Sequence, residues 1–437
     1  MPCYLSPRQL EENQMASELS SRISGFYKKP VDERIKIVAE RVGLSEEEIA
    51  ILKSSGGLSI EAADRMTENV IGSIAYPFSV AVNFRVNDKD YLVPMAGEEP
   101  SVVAAASNMA RLMRAGAGVV ATTTDPIMIG QIQILDIPDM DKAIKAVEGS
   151  KDKLLAAANE LDPVLVRFGG GAKDIELRPL ETEIGPMLIV HLLVDCRDAM
   201  GANAVNTMAE ALAPTIGELT GGRPLLRIIS NLADKRLVTV KCVVKYDDIG
   251  GPEAVDNIVA AWAFADADPY RASTHNKGIM NGIAAVALAF AQDHRAIEAG
   301  AHAYAVKDGR YKSMSRWGKD SDGNLTGEMT LPMAVGLVGG ATRTHPMAQV
   351  ARKILGVDQA VDLGKVMCAV GLAQNLGALR ALTQEGIQAG HMRLHARNLV
   401  VMAGASDDMI NKAVAELIDS GEIRFPKAQE IVKKLQG

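Results

Sequence analysis

Lys277 lies in the run Thr274-His275-Asn276-Lys277-Gly278-Ile279-Met280-Asn281-Gly282. Between Arg271 and Asp293 it is the only side chain with a fixed charge. A lysine in so apolar a run is expected to be desolvated, which is costly unless a counter-charge or a substrate compensates. Held there, a cation can stabilise an oxyanion developing on a carbonyl or thioester. As a neutral amine it can instead form a Schiff base. The structural alternative is a lysine that lays its stem on apolar surface and keeps its ammonium in water. Asp293, where the apolar run ends, could fold back onto Lys277 or pair at the surface with Arg295.

Three further clusters could join such chemistry. Glu98-Glu99-Pro100-Ser101 precedes a helix, where two acids can simply satisfy the helix dipole. With one carboxyl protonated it could act as an acid, and the helix start could bind an anionic group. His391, in Gly390-His391-Met392-Arg393, could be a general acid on a mobile terminal element, or a capping or packing histidine. Asp198-Ala199-Met200-Gly201-Ala202-Asn203 reads as a strand-to-helix turn. Its Gly201 permits close backbone approach, so the helix start could also hold a pyrophosphate.

Other chemistries find no pattern. There is no GxGxxG after a strand, so a Rossmann domain is not supported. His391 and His395 have i,i+4 spacing but no HExxH and no evident third ligand, so no metal is expected. GxSxG is absent too, which argues against a serine hydrolase. The 47 basic and 54 acidic residues are intermixed, with net charge −7 and no basic stripe, so nucleic acid is not an expected partner. Four scattered cysteines fit reduced thiols. The polar start and the length of the longest apolar stretch, Gly278 to Ala291, point to a soluble cytoplasmic protein without a membrane span.

These residues need positioning elements. The 437 residues, 48% hydrophobic, suit two or three domains. Helix-period residues predict helices over Val31–Val42 and Ser45–Ser54, with Ser45 as N-cap. Strands are expected at Phe78–Phe84 and Tyr91–Pro94, then a small-residue helix over Ser101–Ala115. From Gly118 to Ile229 strands alternate with helices. A helix over Met140–Glu160, strands at Gln131–Ile137, Asp174–Arg178, Pro186–Val194 and Leu225–Ile229, and a helix over Ala204–Thr220 predict a compact inserted α+β unit. Val238–Tyr246 reads as β; from Pro252 onward the pattern is mostly helical. It includes a glycine-rich turn at Gly336–Ala341 and a long apolar helix from Val361 that ends near Gly390. The last 40 or so residues read as a small amphipathic helical element.

In family order, the chain carries Glu68-Asn69-Val70-Ile71-Gly72, Glu98-Glu99-Pro100-Ser101, Asp198 to Asn203 and Ser230-Asn231-Leu232-Ala233-Asp234. Asp268-Pro269-Tyr270-Arg271, Thr274 to Gly282, Gln292-Asp293, Gly336 to Thr342 and Gly390 to Asn398 follow. Spanning nearly the whole sequence, these resemble soluble, class II 3-hydroxy-3-methylglutaryl-coenzyme A (HMG-CoA) reductases. The resemblance implies an α+β fold with a mainly helical large substrate-binding domain (1–125 and 231–385). It also implies an inserted ferredoxin-like small dinucleotide-binding domain (126–230) and a C-terminal helical flap (386–437).

It implies two successive hydride transfers, from HMG-CoA through mevaldehyde to mevalonate and free coenzyme A, in either physiological direction. In that reading Lys277 stabilises the oxyanion, Glu99 supplies a proton, Asp293 holds Lys277, and His391 protonates the departing thiolate. Ser101, Arg271, Thr274 and Asn281 would contact the hydroxymethylglutaryl group. Asp198, Met200, Gly201, Asn203 and Asn231 would contact the dinucleotide. Asp162 would meet the adenosine ribose and favour NADH over NADPH, although Arg167 nearby could accommodate a phosphate. The family also implies a homodimer, or a multiple of dimers, with shared active sites. Gln292-Asp293 departs from the Asn-Asp pairing common in bacterial members.

Overall fold

The computed structural model describes residues 20–54, 57–114, 118–384 and 387–436, with only the backbone described for 387–394 and 407–408. Helices Val31–Val42 and Glu46–Lys53 form as the periodicity predicts, and Ser45 closes a capping box with Glu48. Strands β1 (Phe78–Val86) and β2 (Lys89–Ala96) pair as a hairpin. Its two-residue turn, Asn87-Asp88, has both φ angles positive (47° and 64°), as a tight hairpin turn requires. Helix Val102–Arg114 lies against it.

After β3 (Val120–Thr123) comes the inserted unit. It contains β4 (Ile127–Leu135), helices Met140–Gly149 and Lys151–Glu160, β5 (Gly171–Leu180), β6 (Met187–Asp195), helix Ala202–Thr220 and β7 (Arg223–Ser230). All its pairings are antiparallel, in the order β5-β6-β4-β7. That is the βαββαβ ferredoxin-like arrangement. Alternate β6 residues Leu188, Val190, Leu192 and Val194 join Val205, Met208 and Leu212 of the 202–220 helix in a separate core. The single helix expected over Met140–Glu160 is two, broken at Gly149-Ser150, both poor helix formers.

The large domain's sheet has the order β11-β12-β8-β3, with β8 at Leu237–Val244, β11 at Ser315–Lys319 and β12 at Leu325–Pro332. A short hairpin, β9 (Val306–Lys307) with β10 (Arg310–Tyr311), precedes β11. The mostly helical expectation after Pro252 holds, and the strands that interrupt it between Val306 and Pro332 are an addition to it. The turn signal Asp320-Ser321-Asp322-Gly323-Asn324 marks the β11–β12 hairpin.

Helix Ala360–Thr383 runs through the main core and packs on helices Pro269–Ala289 and Val102–Arg114. Among the described residues it is the one helix long and apolar enough to cross a membrane, and it is mostly buried in the protein. It ends at Thr383, not near Gly390. Gln384 is its C-cap, and the side-chain amide donates to the Ile249 carbonyl at 2.9 Å. Helices Ile387–Met402, Asp407–Asp419 and Phe425–Gln436 then surround their own core of Leu399, Val400, Ile410, Leu417 and Ile431.

Candidate active site

Asp268 caps the site helix Pro269–Ala289, its carboxylate accepting from the Arg271 N–H at 2.9 Å, and Pro269 fills the first position. One face of the helix is buried through Ala272, His275, Asn276, Ile279, Met280 and Ile283. Arg271, Thr274, Lys277 and Asn281, spaced by three and four, share the opposite face. Close approach to the core helix requires small residues. A Cβ on Gly282 would fall 3.1 Å from Val370 Cγ1, and one on Gly371 would fall 2.8 Å from Ile283.

Polar pins fix the buried face. His275 Nε2 lies 2.9 Å from both Ser313 Oγ and Ser315 Oγ and 3.1 Å from Asn375 Nδ2. Asn375 Oδ1 accepts from Trp317 Nε1 at 2.7 Å. Asn276 bridges the Lys312 carbonyl and the Met314 N–H. Burial, with the Arg271 charge nearby, pushes the His275 imidazole down to about 3, so it is neutral at ordinary pH.

On the open face, Glu99 reaches the helix from 178 residues away. Its Oε2 accepts from Lys277 Nζ at 2.5 Å, and its Oε1 accepts from Asn281 Nδ2 at 3.0 Å. Ser101, at the start of the Val102–Arg114 helix, holds φ +73°, uncommon for a residue with a side chain. Among the described residues no acceptor takes up the partly buried Arg271 guanidinium, which burial draws below its ordinary range. Thr274 is exposed beside it.

Two expectations change. Lys277 is not desolvated in the single chain: its side chain is 61% exposed, because it stands on the helix face turned away from the core. Asp293 does not fold back onto it. Asp293 caps helix His294–Tyr304 by accepting from the Ala296 N–H at 3.0 Å, and lies 3.5 Å from Arg295 Nε. The turn after Phe290 directs it elsewhere, into a cleft of about 850 Å³. That cleft is also lined by Asp162, Met200, Gly201, Asn203 and Gln292.

Gly201 has φ +106°, and among the described residues no side chain caps the 19-residue helix that follows, so its first N–H groups could take an anion. Asp162 Oδ1 caps the short helix Pro163–Arg167 through the Leu165 N–H at 2.9 Å. Asp198 serves the fold, since its carboxylate accepts from the Ala360 N–H at 2.7 Å. Asn231 is exposed, and neither it nor Asp198 lines the cleft. His391 lies on helix Ile387–Met402 with its side chain outside the described residues.

A second cleft, of about 1100 Å³, runs along the Val102–Arg114 helix from Val103 to Arg111. It is mainly apolar, with Arg22, Arg34 and Arg111 on its walls, and Arg34 Nε is buried with no partner among the described residues. These arginines are not legible as a group in the sequence, because 12 and 77 residues separate them.

The family model for hydroxymethylglutaryl-coenzyme A reductase matches residues 30–396. The 3-hydroxy-3-methylglutaryl-coenzyme A reductase of Archaeoglobus fulgidus is 52% identical over 432 residues, 99% of each chain. A probable reductase of the same name from Borreliella burgdorferi is 32% identical over 385 residues, covering 85% of this chain and 86% of that one. Among solved structures, the Streptococcus pneumoniae reductase superposes with TM-score 0.81 at 40% identity, covering 94% of this chain and 99% of that one. A class II Streptococcus pneumoniae structure bound to NADPH in open conformations gives 0.80 at the same identity, covering 94% and 100%. The chain belongs to the HMG-CoA reductase family, in its class II form, whose enzymes reduce HMG-CoA to mevalonate.

Proposed function

We propose that the Glu99–Lys277–Asn281 constellation is the reducing centre of this enzyme, and that the dinucleotide binds in the cleft lined by Met200, Gly201 and Asn203. The observation that carries this reading is the ion pair between Glu99 and Lys277, each brought to the other by the fold. A lysine held against a carboxylate, itself held by an amide, is placed to stabilise charge on an oxyanion, so that role is better supported than a Schiff base.

Two nicotinamide cofactors, bound in turn, would each supply one hydride, the first to the thioester carbonyl carbon and the second to the aldehyde carbon. Lys277 holds the carbonyl oxygen as negative charge develops there. Glu99, 2.5 Å from that ammonium, would pass a proton to the same oxygen after taking one up from solvent, since as the ion-paired carboxylate it has none to give. Arg271 grips the substrate carboxylate bidentately, with Ser101, Thr274 and Asn281 on its hydroxyl and carbonyl. As the carbon–sulfur bond breaks, His391 protonates the coenzyme A thiolate, brought in by the 386–437 flap. The Arg22, Arg34 and Arg111 cleft suits the pantetheine arm and phosphates of coenzyme A, being apolar along its length and cationic at its walls. Asp293 lines the cleft at the dinucleotide end; its contact with Lys277 would need the closed or assembled enzyme.

Met200, Gly201 and Asn203 fit a diphosphate through the uncapped helix start. Asp162 keeps one carboxylate oxygen beyond its capping bond, and that oxygen would accept from an adenosine ribose hydroxyl and repel a 2′-phosphate. This favours NADH. The enzyme works as a homodimer or multiple of dimers in the cytoplasm. Support for the dimer is the irregular stretch Met66 to Tyr76, where Ile71, Ile74 and Tyr76 are exposed.

The test follows the nicotinamide absorbance band with purified protein and HMG-CoA, using NADH and NADPH separately. Faster oxidation of NADH, reversed or levelled in Asp162→Ala, is the expected result. A clear NADPH preference in the unaltered protein would reassign the ribose site to a basic side chain such as Arg167.

A further inference from the structure

Arg236 is 4% exposed, and among the described residues its guanidinium meets no carboxylate. It donates instead to four main-chain carbonyls. Nη1 reaches Ala199 O at 2.9 Å and Met200 O at 3.3 Å; Nη2 reaches Arg197 O at 3.3 Å and Val335 O at 2.6 Å. Burying a charge without a paired acid is costly, so the arrangement calls for a role that the fork geometry serves.

Three of the four acceptors belong to the 197–201 loop. The fourth belongs to the segment after β12, which holds the same loop from its other side. A Cβ on Gly336 would fall 2.4 Å from Met200 N. The Leu337 N–H donates to the Asp198 carbonyl at 2.8 Å. Gln292 in turn grips Gly336 by both its groups, accepting from the N–H at 2.9 Å and donating to the carbonyl at 2.8 Å, with a further bond to Thr342 Oγ1 at 2.8 Å.

A planar trans peptide points its C=O and N–H in opposite directions. Carbonyls of Arg197, Ala199 and Met200 turned toward Arg236 therefore leave the N–H groups of Asp198, Met200 and Gly201 turned away from it. Met200 and Gly201 line the cleft at the uncapped start of helix Ala202–Thr220. We infer that Arg236 is a positioning residue for the dinucleotide. From behind the loop it fixes the peptide orientations that face the diphosphate and places a buried positive charge at its back, with Gln292 as the second anchor through Gly336. This inference rests on the reading that the 197–203 segment holds the dinucleotide.

The experiment measures binding by calorimetry, titrating NADH and, separately, HMG-CoA into the full-length protein and into Arg236→Met, Arg236→Lys and Gln292→Ala, with thermal unfolding of each. For Arg236→Met the NADH Kd should rise roughly tenfold or more, as for other lost supporting contacts, while HMG-CoA affinity stays within about twofold. Arg236→Lys keeps the charge but loses the fork, so it should recover part of the NADH affinity. Equal losses for both ligands, or unchanged NADH affinity in a folded Arg236→Met protein, would overturn the inference. Should Arg236→Met fail to fold, Gln292→Ala decides: selective weakening of NADH supports the inference, and no weakening or parallel weakening overturns it. An unaltered protein that binds HMG-CoA but neither NADH nor NADPH would overturn the loop assignment itself, before any variant is compared.

Discussion

On the proposed function, Lys277 would be a side chain essential to chemistry and marginal to folding. Its side chain is 61% exposed, and its ion-pair partner among the described residues is 39% exposed. A pair of that kind adds little stability. Lys277→Ala is therefore expected to lower turnover roughly 100-fold or more, the range for a lost oxyanion partner, with thermal unfolding almost unchanged. Full activity in the alanine variant would remove Lys277 from the reducing centre.

His275, two residues earlier, has the opposite profile. Its folded-state value lies near 3 against an ordinary 6.5. The unfolded chain thus binds a proton that the folded one refuses between those values. Stability from this group is fully present above pH 6.5 and is lost as pH falls toward 3, at up to about 1.4 kcal/mol per pH unit. Burial lowers His191 and His345 in the same direction, so they add to the slope. Denaturant unfolding of His275→Gln at pH 7 and pH 5 should show a smaller loss on acidification than the unaltered protein. An identical pH slope would mean that His275 is not the neutral buried group described.

At the scale of elements, the site depends on the seam between helices Pro269–Ala289 and Ala360–Thr383. Gly282 sits where a Cβ would already press on Val370 and Gln374. Gly282→Val must push the helices apart or force off-rotamer side chains, at a cost of about 1–3 kcal/mol. Because Lys277 and Asn281 ride on that helix while Glu99 does not, the same substitution should also reduce turnover. Denaturant midpoints and kcat measured together check this, and a destabilised variant with unaltered kcat would show that the seam does not set the site.

Among the described residues the molecule joins two large cores, a smaller one around Val38, Leu92 and Val350, a terminal helical cluster and an exposed irregular segment. The 386–437 region has its own apolar cluster, so truncation after Gln384 should abolish turnover while the remaining chain unfolds cooperatively. A truncated protein with full activity would dismiss the flap. Ile71 and Ile74 project from the 66–76 stretch without burial. Replacing both with Asp should convert a dimer to monomers in light scattering, with loss of activity. An unchanged mass would place the interface elsewhere.

Much of this organisation is legible in the sequence because it is local. The face carrying Arg271, Thr274, Lys277 and Asn281 follows from helical spacing. Ser45 as a cap and the alternation of strands and helices from Gly118 to Ile229 follow from period and turn chemistry. The apolar run around Lys277 is legible too, yet it points the wrong way on burial. Composition reports what neighbours a residue in sequence, and only packing decides which side of the helix meets the core. Glu99 meeting Lys277 across 178 residues, Asp293 turning to cap His294–Tyr304, and Arg236 gathering four carbonyls are all long-range outcomes. No spacing rule encodes them, since each is fixed by the packing of two cores and the loops held between them.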